Sequence, residues 1–193
     1  SSAGVGQIGL VDNDIVDLSN LQRQFIHNVD RIGLNKTESA KIFINKLNPN
    51  LTIYDYVTDA KSPELKKIIT EYDIIIDCTD NFATRFKIAD DCQKYKKPYI
   101  LGTVRAYEGQ ITTILPSTLK INNPKIRSLF NEENTANSLD DCSDEGILSI
   151  TTTLVGTIMA SECLKIILNI NEGLFGKMLM VDLLNLRFET IKY

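Results

Sequence analysis

Hydrophobic positions in this chain recur with two different periods, and the two periods alternate from segment to segment. Leu51–Val57 (LTIYDYV) alternates like a half-buried strand, whereas Lys36–Leu47 has apolar residues at helical spacing and is closed by Asn-Pro. Gln7–Asp12 (QIGLVD) and Asp73–Cys78 (DIIIDC) are short apolar runs typical of buried strands. Further helices are predicted from Ser62 and over Phe82–Tyr95. This alternation of strands and helices indicates a parallel α/β sheet.

The pattern changes after a strand predicted at Tyr99–Thr103. Glu108–Leu115 is β-prone and follows a turn-like YEG, so an antiparallel neighbour is expected. Ile147–Leu168 is the longest apolar helix, and Lys177–Asp182 with Arg187–Ile191 is predicted to form a hairpin. We therefore predict an α/β fold, with a Rossmann-like, mostly parallel sheet flanked by helices and antiparallel strands toward the C-terminal side.

One long polar segment, Ser117–Glu145, interrupts this regular pattern. It is rich in asparagine and nearly free of β-branched runs, and a long irregular segment inside a compact domain is usually functional or disordered. We predict that it crosses over the active site and guides the tail of a partner. The chain as a whole, residues 1–193, has the size of a single domain.

Composition narrows the classes of function. A net charge of -4 and a pI near 5.1 argue against nucleic acid as the main partner. No segment is expected to form a membrane span, which needs roughly 20 apolar residues, and Ser1–Gln7 lacks the features of a signal peptide. Four cysteines without a C-x-x-C pair indicate reduced thiols in the cytoplasm. The sequence also has a single histidine, so it argues against a structural zinc site, whose ligands would have to converge from distant positions.

The glycines of Gly4–Gly9 (GVGQIG) match the dinucleotide fingerprint G-x-G-x-x-G letter for letter. That fingerprint must follow a strand and open a helix, so that the helix N-terminus meets the phosphates. Here only three residues precede the glycines, and a strand follows them. We interpret the segment as a helix C-terminus that runs through glycines into a strand. On this interpretation the chain begins partway through a βαβ unit.

Three residues in the first quarter of the chain are candidates for nucleotide binding. Asp12 ends a predicted strand, where open α/β sheets place ligand contacts, and a carboxylate there can accept from ribose hydroxyls or cap a turn. Arg23 lies in the polar run SNLQRQ and suits phosphate oxygens. Lys36 begins a helix, where a cation is unfavourable unless an anion also lies there. A solvated surface lysine is the alternative for Lys36.

Two further candidates follow the strand predicted at Asp73–Cys78. Asp80 can bind Mg²⁺ through its oxygens while the ion bridges phosphates. Alternatively, Asp80 or Asn81 caps the helix that begins at Phe82. Cys78 and Cys163 are expected in the core because they fall on a buried strand and an apolar helix face.

Taken together, SNLQRQ, Lys36 and DCTDNFATR (Asp77–Arg85) resemble the MoeB/ThiF family, which includes the adenylating halves of ubiquitin-activating enzymes. The resemblance extends to GVGQIGLVDND, RAYEGQIT (Arg105–Thr112) and the helix GTIMASECLKIIL. It implies an adenylyltransferase that uses ATP and Mg²⁺ to activate the Gly-Gly carboxylate of a ubiquitin-like or sulfur-carrier protein. The family is usually dimeric, as a homodimer or heterodimer.

The resemblance also implies roles for single residues. Asp12 would bind ribose, Mg²⁺ would be bound by Asp80, and Asn81 would lie beside the nucleotide. The phosphates would be contacted by three residues: Asn20, Arg23 and Lys36. Cys142 aligns with a cysteine that in several members accepts the activated acyl group or sulfur after adenylation. Acids on both sides of Cys142 disfavour its thiolate, so an incidental loop cysteine is the alternative.

Two departures from the family pattern bear on these expectations. The family's glycine loop and an N-terminal arginine are expected upstream of Ser1, and the paired C-x-x-C zinc motifs of many members do not occur in this sequence. Two other classes of function remain for comparison. A non-catalytic scaffold half of a heterodimer would not need Arg23, Lys36 and Asp80 together, and a nicotinamide or flavin oxidoreductase would need a glycine fingerprint after a strand.

Overall fold

The computed structural model describes residues 1–60, 62–116, 126–130 and 146–193. The chain separates into two compact units, Ser1–Lys67 and Ile68–Tyr193, which are described here one at a time. Predictions for residues 117–125 and 131–145, including Cys142 and most of the predicted crossover loop, concern residues outside the described ranges. The prediction of a single domain stays a prediction.

The first unit is built on a parallel pair of strands. Strand β1 (Gln7–Val11) pairs with β2 (Thr52–Tyr56), and helix α1 (Lys36–Leu47) connects them along the chain. A parallel pair needs such a crossover because its strands run in the same direction. Ile44 of α1 packs with Leu51 and Ile53 in the core of this unit. Val11 ends β1, so the polar residues that follow it lie at the carboxyl edge of the pair.

The second unit contains a five-stranded sheet in sequence order. Its strands are β3 (Ile75–Asp77), β4 (Tyr99–Arg105), β5 (Glu108–Ile114), β6 (Lys177–Asp182) and β7 (Arg187–Lys192). Its helices are α3 (Phe82–Lys94), α4 (Ile126–Leu129) and α5 (Ser149–Ile167), and α2 (Pro63–Glu71) crosses the division between the units. The β3–β4 pair is parallel, and every later pair is antiparallel. The predicted fold class is therefore confirmed, with the change from parallel to antiparallel where it was expected.

Two cysteines differ from the expectation that both lie in the core. Cys78 is exposed, because β3 ends at Asp77 and Cys78 already belongs to the following loop. Cys163 on α5 is only half-buried. Cys92 on α3 is the buried thiol of the described residues, and burial raises its pKa above the ordinary range.

Helix α5 packs directly on β4 and β5 because the strands present glycines beneath it. Val155 and Met159 lie in the core cluster with Ile100 and Ile111. A Cβ atom at Gly102 would lie 2.8 Å from Val155 Cγ1 and in still closer collision with Met159 Sδ. The absence of a side chain at this position therefore allows the helix to approach the sheet.

A buried carboxylate, Glu162, anchors the C-terminal half of α5. Glu162 is 1% exposed, and its Oε2 accepts hydrogen bonds from Leu174 N at 2.7 Å and Thr113 Oγ1 at 3.4 Å. Lys165 forms an ion pair with its other oxygen. A buried charge is costly unless it is hydrogen-bonded and paired, and Glu162 is both. These contacts join α5 to β5 and to the loop that precedes β6.

One exception arises to the expectation that no segment resembles a membrane span. Within the described ranges, only α5 has the length and apolar composition to cross a membrane, with a mean hydropathy of 1.4. This criterion uses length and composition alone, and the core helices of water-soluble proteins satisfy it as well. The face of α5 that carries Thr151, Val155 and Met159 is buried in the second unit.

Replacement of Gly102 by alanine is expected to destabilise the protein by about 1–3 kcal/mol, because the new methyl group overlaps Val155 and Met159. The matched control is Gly156→Ala on α5, where nothing lies within 4 Å of the added Cβ. That control should stabilise the helix by about 0.5–1 kcal/mol. Urea unfolding measures the free energy of unfolding of both variants. Equal effects of the two substitutions would contradict the packing of α5 on Gly102.

Candidate functional site

Asp12 follows the last residue of β1 and shapes the turn after it. Its backbone N–H donates to Tyr56 O at 3.2 Å, and its Oδ1 accepts from Asp14 N at 2.9 Å. An aspartate that binds the backbone two residues ahead is a turn-forming contact. The turn-capping alternative is therefore what the carboxylate does in this structure. A ribose-binding role for Asp12 stays a prediction, to which this geometry adds a fixed orientation.

The SNLQRQ run folds as consecutive tight turns. A 3₁₀ turn, Leu18–Asn20, is capped by Asp17, and Asn20 Oδ1 accepts from Asp17 N at 3.3 Å in return. Arg23 Nη1 donates to Ser19 O at 3.2 Å. Asn20 therefore has a local structural task, and Arg23 is held against the turn by the same backbone.

Lys36 is the first residue of α1, as the sequence predicted, and an anion does lie at that end of the helix. Its Nζ donates to Asp14 Oδ2 at 2.8 Å, and its backbone N donates to Asp14 O at 2.9 Å. The Lys36 side chain is 13% exposed, whereas that of Asp14 is 65% exposed. Asp14 thus offsets part of the unfavourable interaction between the lysine and the helix dipole.

His27 is a buried residue with positive neighbours. It is 8% exposed, and its Nδ1 lies 2.8 Å from Ser39 Oγ. Burial lowers the pKa of His27, the charges of Arg31 and Lys36 lower it further, and Asp12 opposes them. The folded protein therefore disfavours the protonated form of His27, which lies near the cationic side chains of Arg31 and Lys36.

In the second unit, a buried hydrogen bond lies under the loop that follows β3. Tyr99 Oη donates to Asp77 Oδ2 at 2.6 Å, and Asp77 Oδ1 accepts from Thr79 N at 2.8 Å. Burial, followed by the charge of Asp77, raises the pKa of Tyr99 well above its usual range. Arg85 Nε and Nη2 donate to Thr79 O at 3.0 and 2.5 Å. The backbone of this loop is therefore fixed from both sides.

Asp80 and Asn81 end this loop, and their side chains make different contacts. Asn81 Oδ1 accepts from Thr84 N at 2.9 Å, so the capping alternative is confirmed for Asn81. Asp80 is exposed, and its Oδ1 accepts from Asn81 Nδ2 at 3.3 Å. Mg²⁺ is commonly bound by one or two carboxylates together with substrate phosphates and water. A single exposed carboxylate on a fixed loop fits that requirement.

Three side-chain oxygens beside the candidate residues are buried and have no hydrogen-bond partner in the described part of the protein. They are Gln24 Oε1, Thr37 Oγ1 and Thr79 Oγ1, next in sequence to Arg23, Lys36 and Asp80. Buried polar atoms normally find a partner, and exceptions often mark sites for an ion, a water molecule or a ligand. These three oxygens are therefore available to a water molecule or a ligand, whereas the roles of Arg23, Lys36 and Asp80 stay predictions.

Within the first unit, the structure joins Asp12 to Lys36 through Asp14, and places Asn20 and Arg23 on the same short run of turns. Within the second, it places Asp80 and Asn81 on one loop. Cys142 lies outside the described residues. Asp14 was not among the residues predicted from the sequence, although an acid two residues after Asp12, upstream of a lysine at a helix start, was a usable signal. The hydrogen bond between Tyr99 and Asp77 was not predicted either, and no sequence pattern indicates it.

Removal of the α3 cap by Asn81→Ala is expected to cost about 1 kcal/mol of unfolding free energy, because Thr84 N loses its acceptor. Asn81→Ser retains an acceptor and should lie within a few tenths of a kcal/mol of the unchanged protein. Thermal unfolding of both variants measures the difference. Equal losses for alanine and serine would show that Asn81 stabilises the protein by some contact other than the cap.

The free energy of unfolding should fall as the pH decreases below about 6.5, the ordinary pKa of histidine. Folded His27 has a lowered pKa, so below that pH the unfolded chain takes up a proton that the folded chain resists. His27 is the only histidine, so His27→Gln should remove this component. Urea titrations at pH 7.5 and 5.5 measure the change in the free energy of unfolding with pH. The same change in His27→Gln as in the unchanged protein would contradict the assignment of this component to His27.

Comparison with known proteins agrees with the fold and the motifs. The chain is 39% identical over all of its length to the Porphyra purpurea protein named probable molybdopterin-synthase adenylyltransferase, and covers 50% of that protein. It is 34% identical, again over its full length, to the SAMP-activating enzyme E1 of Haloferax volcanii, and covers 70% of it. The chain thus spans about half the length of the first relative.

A solved structure shows the same fold. E. coli MccB, crystallised with ATP, superposes with a TM-score of 0.81 at 18% identity, covering 98% of this chain and 57% of that one. At this level of identity the likeness concerns the fold alone. The family model described as ThiF family matches residues 1–193, the whole of the sequence. The chain therefore belongs to the ThiF family.

Proposed function

We propose that this chain is the adenylating part of an enzyme that activates the C-terminal glycine carboxylate of a ubiquitin-like or sulfur-carrier protein. The observation that carries the proposal is the hydrogen-bonded series from Asp12 through Asp14 to Lys36. It presents an acid suited to ribose hydroxyls together with a cation suited to phosphate, at the end of a parallel strand. Relatives named adenylyltransferase and activating enzyme support the same chemistry.

In the proposed reaction, a carboxylate oxygen of the carrier attacks the α-phosphorus of ATP. A bond forms between that oxygen and phosphorus, the bond to the bridging oxygen breaks, and pyrophosphate leaves with the electron pair. Negative charge grows on the phosphoryl oxygens, and Arg23 and Lys36 are the cations proposed to stabilise it. Asp12 would bind ribose, and Asn20 would contact the phosphates as well.

Within the second unit, Asp80 is proposed to bind Mg²⁺ and Asn81 is proposed to lie beside the nucleotide. When bound, Mg²⁺ would neutralise charge on the phosphates. The protein's own contribution is the fixed loop, in which Asp77, Tyr99 and Arg85 hold the backbone before Asp80. The backbone from which Asp80 projects is thereby held before nucleotide binds, which lowers the cost of reorganisation.

A carrier with a Gly-Gly tail is the partner proposed for this chemistry, and the named relatives support that class of partner. A dimeric assembly and a cytoplasmic location complete the proposal. The three cysteines among the described residues are free thiols, as a reducing compartment favours.

Cys142 is proposed as a second nucleophile after adenylation. Its thiolate would attack the acyl carbon of the adenylate, form a thioester, and release AMP. A Cys142→Ala variant should then retain pyrophosphate exchange and lose a thiol-sensitive covalent adduct with the carrier. Gel electrophoresis with and without a thiol reductant shows whether the adduct forms in the unchanged protein and in Cys142→Ala. An adduct that persists in the variant would exclude Cys142 as the nucleophile.

Full-length protein with MgATP and a Gly-Gly carrier is expected to catalyse carrier-dependent exchange of labelled pyrophosphate into ATP. Lys36→Met and Asp80→Asn should each lower the exchange rate by about 10²–10³-fold, because each removes charge stabilisation of the phosphates. The matched controls are Lys46→Met, at the exposed end of α1, and Asp73→Asn, an exposed acid before β3. Both controls should retain the full rate.

The outcome of the same experiment separates the alternatives. MgATP binding without exchange, in the presence of carriers that other activating enzymes accept, would favour the scaffold half of a heterodimer. Exchange that is unaffected by Asp80→Asn would remove Asp80 from the proposal. A carrier that lacks its terminal Gly-Gly should support no exchange, since the attacking carboxylate is then misplaced.

A further inference from the structure

We propose that Asp14 is the positioning residue for Lys36, holding the ammonium group where the nucleotide phosphates bind. The inference rests on the proposed function for the identity of the ligand, and on the geometry of the first unit for the rest. Asp14 contacts two of the residues proposed to bind nucleotide in this unit. Its backbone N–H donates to Asp12 Oδ1, and its Oδ2 accepts from Lys36 Nζ at 2.8 Å. It is therefore the link between the ribose-binding and phosphate-binding residues.

The backbone fixes Asp14 independently of its side chain. Lys36 N donates to Asp14 O at 2.9 Å, and Ile15 and Asn35 form an antiparallel bridge immediately beside that contact. Val16, which is 1% exposed, donates to Leu34 O at 2.8 Å and anchors the next residue along. These contacts hold the backbones of Asp14 and Lys36 side by side, so that Asp14 Oδ2 can reach Lys36 Nζ, 2.8 Å away.

The two side chains differ in exposure in a way that favours positioning. The Lys36 side chain is 13% exposed and the Asp14 side chain 65% exposed. The carboxylate therefore keeps much of its hydration while it orients a lysine whose stem is buried. Lysine is a flexible point charge with little orientation of its own, so a fixed partner reduces the number of positions that its ammonium samples.

The position of Lys36 makes such a partner necessary. Lys36 is the first residue of α1, and the positive end of the helix dipole is unfavourable for a cation. Without Asp14, the ammonium group would move away from the helix end toward water. The anionic phosphates of a bound nucleotide would then have to draw it back, at a cost in affinity and rate.

The first test measures the position of Lys36 without reference to activity. Full-length protein is acylated with a water-soluble succinimidyl ester, and the rate at each lysine is read by mass spectrometry. Asp14→Asn should raise the rate at Lys36 several-fold and leave Lys41 and Lys46 unchanged. The control Asp30→Asn, an exposed acid in the same unit, should change none of the three. Equal Lys36 rates in the unchanged protein and the Asp14→Asn variant would overturn the proposal.

The second test is a double-mutant cycle on binding of the α,β-methylene analogue of ATP with Mg²⁺. Asp14→Asn should weaken binding about ten-fold when Lys36 is present and have no effect in a Lys36→Met background, because Asp14 acts through that lysine. In the exchange assay, Asp14→Asn should lower kcat by about the same factor and leave the KM for carrier unchanged. Thermal unfolding should show both variants folded.

The possible outcomes are distinguishable. A loss of affinity that persists with Lys36→Met would show that Asp14 acts on the metal or nucleotide directly and would overturn the proposal. Tighter binding by Asp14→Asn would show that the carboxylate competes with phosphate, which overturns it as well. If the unchanged protein binds no analogue, the proposed function fails, and the positioning role at a phosphate site fails with it. The acylation rates then still decide whether Asp14 orients Lys36.

Discussion

The close approach of α5 to β4 and β5 is the contact on which the second unit depends. It requires glycine at Gly102, since a methyl group there would meet Val155 and Met159. Once the helix lies on the strands, Thr151 Oγ1 donates to Ala106 O at 2.7 Å, and Ala106 N donates to Gly146 O. The turn after β4 is thereby tied to the chain that enters α5. The same packing buries β4, whose first residue, Tyr99, supports the loop before Asp80.

Buried carboxylates act as organisers in this second unit. Glu162 joins α5 to Leu174 and Thr113, and Asp77 joins β3 to Tyr99 and to its own following loop. Each is enclosed, and each has hydrogen bonds that offset the loss of hydration. In the first unit the organising acid, Asp14, is exposed instead. The difference in exposure fits the different roles of these acids. Asp77 and Glu162 hold the fold together and are isolated from solvent, whereas Asp14 lies beside a candidate ligand site.

Local pattern was sufficient for most of the fold and for several candidate residues. The lysine at the start of α1, the acid after β1 and the polar loop before α3 were all visible as residues at the ends of apolar runs. A strand rather than a helix follows the glycine fingerprint, as predicted, so the fingerprint does not meet the requirement for a dinucleotide-binding loop. The expectation for Cys78 was wrong because β3 is only three residues long, and the length of a strand depends on its neighbours rather than on its own apolar run.

The positions of the strands, the bounds of most helices and the class of chemistry follow from the sequence, since side-chain periodicity reports which face is buried and family motifs are contiguous. Pairings between distant residues do not. Three such pairs are each separated by more than twenty positions in the sequence: Tyr99 with Asp77, Thr113 with Glu162, and Lys36 with Asp14. No local pattern encodes them, because they depend on strand register and helix position, which only the folded chain establishes. The sequence determined which residues carry charge and chemistry, and the tertiary structure decided which of them hold one another in place.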